Sequence, residues 1–286
     1  MSKSKTTLLL DSDIIAFKFA SVSQKDFKWG DEDDTNSRVV EDISEVIPLV
    51  EDYITDLKIK LQATDLIVCL SCPSSENFRY TVLPSYKHKR VNVEKPILLS
   101  VIKDWMRETY PTYERPTLEA DDIMGILSTH PKLIPGKKII VSEDKDMKTI
   151  PGWLFNPAKD NAPYLITEDI ANFWHIYQTV KGDTTDGYSG CPGAGEKAIK
   201  DVVEKSLKYQ PYDYEFKAGP RKGLTEVRWE LVPSDSHWES VVSLFVKAGY
   251  TEEDALVQAR VARICRHSDY DFINKEVILW TPSSTA

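Results

Sequence analysis

Thr6-Thr7-Leu8-Leu9-Leu10-Asp11 is six residues long, apolar through its centre and stopped by a carboxylate. It reads as a buried strand, and Asp65–Ser71, Lys137–Ser142 and Gly152–Asn156 repeat its pattern: short, apolar, bounded by turn or acidic residues. Between these strands lie helical patterns. Val39–Gln62 is one, interrupted at Pro48; Pro96–Tyr110 is another, with proline at the favoured first position. In Glu119–His130, Ile123, Ile126 and Leu127 follow i, i+3, i+4 spacing. Alternating strands and helices predict an α/β fold, a mostly parallel central sheet flanked by helices on both faces. Ligands of such sheets bind beyond the carboxyl ends of the strands, so the residues just after each strand are the ones to inspect.

From residue 168 the character changes. Glu168–Lys181 reads as a helix, followed by a loop dense in Gly, Asp and Thr and a second helix over Glu196–Tyr209. Tyr212–Leu231 alternates around Gly219, Pro220 and Gly223 and reads as a β-hairpin; Trp238–Gly249 and Glu252–His267 read as helices and Glu276–Trp280 as a last strand. The expected division is therefore an α/β core over residues 1–167 and a helix-hairpin region with the C-terminal part over 168–286.

Length and composition narrow the class. At about 150 residues per domain, 286 residues with 41% hydrophobic content make one large domain or two modest ones, which excludes collagen-like, disordered and mini-protein chains. No apolar run reaches the roughly 18–20 residues of a membrane span, and Asp11 cuts the leucine run below signal-peptide length. No membrane association and a cytoplasmic location are expected. Cys69, Cys72, Cys191 and Cys265 are too few for a disulfide framework. Cys69 and Cys72 form a CxxC with no second pair to complete a zinc set, and read as strand-end residues. The net charge of −9 argues against a nucleic-acid partner only if it is evenly spread. It is not: Asp31–Asp65 holds eleven acids and three bases, whereas Arg79–Lys103 holds six bases and Glu94 alone.

Eight carboxylates fall at element boundaries. Asp11 ends the first strand, Glu119, Asp121 and Asp122 open a helix, Asp144 and Asp146 follow the Lys137–Ser142 strand, and Asp183 and Asp186 sit in the glycine loop. Singly, each suits a helix start or an Asp turn. Gathered on one edge, they repel and resist desolvation, and bound cations offset both. Oxygen ligands select Mg²⁺ or Mn²⁺, and two such ions about 4 Å apart can activate a water and stabilise the leaving oxygen of a phosphodiester. Arg79, Lys87, Lys89 and Arg90, interleaved with Tyr80 and Tyr86, suit a nucleic-acid backbone and an unstacked base. In the loop Lys181–Lys197, Gly190, Gly193 and Gly195 let the backbone approach a phosphate, and the helix start at Glu196 and Lys197 offers N–H groups to it. A duplex can be held there without base reading.

The motifs LLLDSD, FRYTVLPSYKHKR, LEADDIMG, VSEDKDMKTIPG, KGDTTDGYSGCPGAGEKA and ARICRHSDYDFINKEVILW, in this order and over nearly the whole chain, resemble the flap endonuclease and 5′-nuclease family. Among its branches they are most similar to the 5′→3′ exonucleases of short-tailed phages. The resemblance implies a PIN-like nuclease core with a short basic arch at about residues 76–100, and a helix-three-turn-helix module on duplex DNA. It implies two metal sites: Asp11, Glu119, Asp121 and Asp122 around the ion nearer the attacking water, and Asp144, Asp146, Asp183 and Asp186 around the second. Lys87 and Arg90 match arch residues that steer the scissile phosphate, Tyr86 matches a residue stacking on the terminal base, and Asp144 is a catalytic carboxylate. Arg79, Lys89, Gly190, Gly193, Gly195 and Lys197 match substrate-binding positions, with K⁺ at the glycine-loop carbonyls. Asp13 matches no ligand position and reads as a helix N-cap. The implied activity is a Mg²⁺-dependent 5′→3′ exonuclease on double-stranded DNA ends, nicks and flaps and on the RNA strand of RNA:DNA hybrids. It would serve primer removal, phage replication and recombination, and host DNA degradation, with phage replication proteins as partners in the host cytoplasm.

There are two departures from the pattern. Family members carry another Asp just after the second strand, where this chain has Ser71-Cys72-Pro73-Ser74-Ser75-Glu76, and the interval from Lys87 to Glu119 is short for a long helical arch. Two other classes stay open. Leu8-Leu9-Leu10-Asp11-Ser12-Asp13 also resembles the DxD strand end of haloacid-dehalogenase-like phosphohydrolases, which have no use for the glycine loop or basic segment. A non-catalytic structure-specific DNA-binding protein would lack working metal sites.

Overall fold

The computed structural model describes residues 5–28, 36–90 and 93–282. The acidic run Asp31–Asp34 and the side chain of Arg90 lie outside that description. In chain order the elements begin β1 (Thr6–Asp11), α1 (Ser12–Val22), β2 (Gln24–Lys28), β3 (Asn36–Val40), α2 (Ile43–Lys60), β4 (Asp65–Cys69), α3 (Arg79–Val82), α4 (Leu99–Thr109), β5 (Thr112–Tyr113) and α5 (Ala120–Thr129). They continue β6 (Lys137–Val141), β7 (Gly152–Phe155), β8 (Tyr164–Ile166), α6 (Glu168–Lys181), α7 (Glu196–Ile199), β9 (Leu207–Glu215), β10 (Thr225–Pro233), α8 (His237–Lys247), α9 (Glu252–Ala262), β11 (Tyr270–Asp271) and β12 (Glu276–Val277).

Two compact units emerge. The first comprises Met1–Phe78, Asn92–Ala171 and Ile264–Ile278; the second comprises Arg79–Val91, Asn172–Arg263 and Leu279–Ala286. The crossing at Ala171 lies beside the boundary expected at 167/168, but a single cut does not describe the chain. The basic segment from Arg79 belongs with the second unit, and Ile264–Ile278 returns to the first.

The first unit is a six-stranded sheet in the order β5-β4-β1-β6-β7-β8. All pairs are parallel except β7 with β8. Because side chains alternate along a strand, β1 feeds two cores. Leu9 joins Ile67 and Ile140 against Ile123 and Ile126 of α5. Leu8 and Leu10 join Val68 and Val141 against Ile15 of α1, Val50 of α2 and Ile102 of α4. Burial on both faces explains the unbroken apolar runs of these strands. The second unit packs Val180, Ile199, Val202, Val241, Leu244 and Phe245 into its own core.

Four element expectations need correction. Pro48 does not interrupt α2; it lies on the solvent side near the helix start, where water can satisfy the carbonyl that loses its N–H partner. Val39 and Val40 pair in β3 instead of opening that helix. Pro96 precedes α4 rather than starting it, and its carbonyl accepts from Leu99 N–H at 3.1 Å. The Glu196–Tyr209 helix stops at Glu204 after a π-turn over Lys200–Glu204, because Leu207 onward pairs as β9; α9 likewise ends at Ala262, where Arg263 turns extended. No helix among the described residues is long and apolar enough to cross a membrane.

Candidate active site

The first unit gathers carboxylates where the parallel strands end. Asp11 closes β1 at 2% exposure. Its Oδ1 accepts the Ile14 N–H at 3.2 Å, so Asp11 and not Asp13 caps α1. Its Oδ2 accepts the Ser142 hydroxyl at 2.6 Å. Ser142 directly follows β6, and its Oγ in turn accepts the Asp144 N–H at 3.0 Å. Asp144 Oδ1 takes the Asp146 N–H at 2.7 Å, which caps the tight turn over Lys145–Thr149. One serine thus connects the acid ending β1 to the acids following β6. Burial pushes the Asp11 carboxyl up to about 7; the Ser142 hydroxyl opposes this, the charge of Asp13 adds to it, the Ile14 amide opposes it, and Asp144 adds a smaller push.

Across the sheet edge, Glu119 is the N-cap of α5. Its N–H donates to Asp122 Oδ2 at 3.1 Å, while Asp122 Oδ1 accepts the Cys265 N–H at 3.0 Å. Ser71, after β4, accepts the Ala120 N–H on its Oγ at 2.9 Å and donates its own N–H to Asp13 Oδ2 at 3.1 Å. Asp13 also pairs with Lys103 at 2.6 Å. Burial holds the Cys69 thiol well above its ordinary range, and Asp11, Asp13 and Asp121 all add to that rise. Burial pushes Cys72 to about 11, with Glu119, Glu76 and Asp122 adding. Cys69 ends β4 and Cys72 lies three residues beyond it, and all four cysteines are buried outside any disulfide. Among the described residues, no group of three or more His, Cys, Asp or Glu side chains is disposed as a formed metal cage.

The second unit holds the basic segment and the glycine loop. Lys87 sits at φ +50°, its N–H donates to the Asp186 carbonyl at 2.8 Å, and its Nζ lies 3.8 Å from Asp186 Oδ2. Asp183 Oδ1 accepts the Thr185 and Asp186 N–H groups at 2.8 and 3.3 Å. Gly182 and Gly190 stand back to back, each at positive φ, where a Cβ on either would meet backbone at 2.3–2.4 Å. Gly193 and Gly195 face open space, and Lys197 and Lys89 are exposed.

Residues 6–151 match the family model described as the 5′-3′ exonuclease N-terminal resolvase-like domain. The chain is 34% identical to the exonuclease of Escherichia phage T7 over 286 residues, 97% of this chain and 94% of that protein. The chain belongs to the 5′-3′ exonuclease family. The exodeoxyribonuclease of Enterobacteria phage T3 is 33% identical, covering 98% of this chain and 94% of its own. Solved relatives share the fold at lower identity. A bacteriophage T5 protein co-crystallised with metal ions superposes with a TM-score of 0.58 at 15% identity, over 90% of this chain and 89% of that one. A T5 flap endonuclease complex with DNA and metal ions gives 0.55 at 14% identity over the same shares.

Membership of the 5′-3′ exonuclease family makes the chain a hydrolytic nuclease, yet its geometry reassigns several expected residues. Arg79 is 2% exposed and spends Nε and Nη2 on the carbonyls of Val261 and Arg263, at 3.0 and 2.7 Å. It caps the C-terminal end of α9 and does not present itself to a phosphate. Tyr86 is equally buried among Tyr188, Val261 and Ala262, with its hydroxyl 3.4 Å from Asp186 Oδ2, so its ring is closed to a terminal base. The Gly190 N–H donates to Gln258 Oε1 at 2.8 Å, which turns this glycine inward; Gly193 and Gly195 keep the open approach. Asp122 is 0% exposed with both oxygens on backbone amides. In this 5′-3′ exonuclease those two bonds tie the start of α5 to the backbone of Glu119 and Cys265. Ser142 and Ser71 escaped the sequence reading, although Ser142 directly follows β6 and Ser71 lies two residues beyond β4, where the sheet rule points.

Proposed function

We propose that the chain is a divalent-metal-dependent 5′→3′ exonuclease of double-stranded DNA, with Mg²⁺ as its ordinary ion. The observation that carries this reading is Asp11. A fully buried carboxylate with no Lys or Arg ion-pair partner among the described residues, pressed by Asp13 and Asp144, costs stability unless a cation shares the site. The donor set fits: carboxylate oxygens suit a hard ion, and Asp11, Glu119, Asp121, Asp144 and Asp146 are the side chains that would hold it. Bound there, divalent ions would supply an acidified water and neutralise charge on the leaving oxygen.

The chain's own residues divide the remaining work. Ser142 fixes the Asp11 carboxylate by hydrogen bond and holds Asp144 in register with it. Lys87 lies beside Asp186 and can exchange that partner for a phosphate oxygen, offsetting charge as the bond breaks. Gly193, Gly195 and Lys197 receive duplex backbone through their open faces, with K⁺ at the loop carbonyls. Flaps, nicks and the RNA strand of hybrids complete the substrate range, in the cytoplasm of a phage host.

The deciding experiment uses 5′-labelled and 3′-labelled duplexes with and without Mg²⁺, using the natural chain and Asp144→Asn. The natural chain releases nucleotides from the labelled 5′ end only with metal, and the variant binds duplex but releases almost none. Equal release by the variant removes Asp144 from the metal assignment. A phosphohydrolase with Asp11 as nucleophile is disfavoured by the match of residues 6–151 to the 5′-3′ exonuclease family model and by the 34% identity to a phage exonuclease over nearly the whole chain.

A further inference from the structure

Strands β9 and β10 form an antiparallel ribbon of nine residue pairs, from Leu207–Pro233 at its root to Glu215–Thr225 near its tip. The root is tied to α8. Lys208 Nζ lies 2.6 Å from Glu239 Oε1, the Tyr209 N–H donates to Ser243 Oγ at 2.8 Å, and Lys247 Nζ stands 3.5 Å over the Tyr209 ring. Beyond the root most of the ribbon is exposed. At about 3.3 Å per residue, the stretch from Tyr209 to Phe216 carries the tip roughly 23 Å from that anchor.

A two-stranded hairpin is marginal in water by itself, and this one carries its own brace. The Arg228 guanidinium lies 3.5 Å from the Tyr214 ring centre and that of Arg221 lies 4.1 Å from Phe216. Tyr214 and Phe216 meet edge to face at 5.3 Å, and Glu226 pairs with both arginines, at 2.6 and 3.6 Å. Exposed cation–π contacts contribute about 0.5–1 kcal/mol each, enough together to keep a short ribbon straight. The brace occupies the arginines but not the tip lysines. Lys217 and Lys222 are exposed and have no carboxylate partner among the described residues. Lys217-Ala218-Gly219-Pro220-Arg221-Lys222-Gly223 carries three bases and no acid, in a chain whose net charge is −9.

We propose that the β9–β10 ribbon is a second duplex-binding arm, whose tip lysines sit on the phosphate backbone away from the glycine loop and independently of sequence. A braced ribbon with an acid-free basic end complements a polyanion, and a two-stranded β-ribbon is of a size the major groove admits. Lys217 and Lys222 each neutralise one phosphate and release its counterion. The proposal rests on duplex DNA being the substrate.

The test compares the full natural chain with Lys217→Ala/Lys222→Ala, titrating a fluorescent 30-base-pair duplex in chelator across a range of KCl concentrations. The slope of log K against log salt is expected to become shallower by about 2, and affinity near 0.1 M salt to fall roughly 10- to 100-fold. Single-turnover cleavage at saturating DNA with Mg²⁺ stays at the natural rate, and thermal melting confirms the fold. Unchanged affinity and slope overturn the arm, and so does a slowed single turnover with unchanged binding. Lys217→Gln/Lys222→Gln, which keeps Arg221 and with it the brace, must reproduce the loss. Failure of the natural chain to bind duplex sinks the DNA reading instead, so the two ideas fail separately.

Discussion

Asp11 shows how one side chain couples stability to chemistry. Its carboxyl is pushed up to about 7 in the folded chain, above the ordinary 3.8. A raised acid favours the folded state while protonated, so this contribution is fully present below pH 4 and is lost as pH climbs through 7. At about 1.4 kcal/mol per pH unit the loss is on the order of 4 kcal/mol at most. Asp11→Asn, measured in chelator, is therefore expected to melt higher than the natural chain at pH 8 and level with it near pH 4; equal melting at both pH values contradicts the burial argument. Lys87 gives the complementary prediction. Lys87→Ala should slow single-turnover cleavage at least tenfold while duplex affinity changes little, and a loss confined to affinity would move Lys87 into the footprint. At this scale Asp11 was the most legible acid, because it directly ends an apolar run, whereas Asp183 and Asp186 stood out only by their place in a glycine-rich loop. Arg79 and Tyr86 were not legible, because a basic-aromatic loop reads as exposed until its neighbours are known, and here α9 and the glycine loop cover both.

Helix α5 is held by contacts that local sequence hides. Gly125 lies under the Cys265 carbonyl, and a Cβ there would stand 2.3 Å from that oxygen. Gly125→Ala must push α5 away from residue 265, stretching the Asp122–Cys265 hydrogen bond nearly one turn along the helix. Overpacking of this kind costs about 1–3 kcal/mol, so melting drops measurably. Catalysis should fall further than folding explains, because Glu119 and Asp121 ride on the same helix. Gly193→Ala meets open space but keeps a positive φ, so it should cost about 1–2 kcal/mol of stability from backbone strain alone and weaken duplex binding. The strands and most helices were readable from periodicity. Where the reading overran, tertiary pairing decided: the apolar and aromatic residues from Leu207 to Tyr209 suit helix or strand, and β10 supplied the partner.

Across the whole chain, ions and topology act together. Divalent cations that bind only the folded form add about 2.7 kcal/mol at a hundred times their dissociation constant, so Mg²⁺ should raise melting at pH 8. Asp11→Asn should lose most of that rise, and an equal rise in the variant would place the ion elsewhere. Net charge hid the partner because acids and bases are segregated, which the segment counts revealed. The interleaving of the two units stayed hidden, since the basic run that opens at Arg79 signals charge and not the unit it packs in, and no composition shift marks Ile264. That interleaving bears on biosynthesis. The amide fixing Asp122 belongs to a residue 143 positions later, so a nascent chain still short of residue 265 already holds every acid of the site without the bond that sets α5. Competence is expected only when translation is nearly over, and a chain stopped after Arg263 should bind ions weakly and cut nothing.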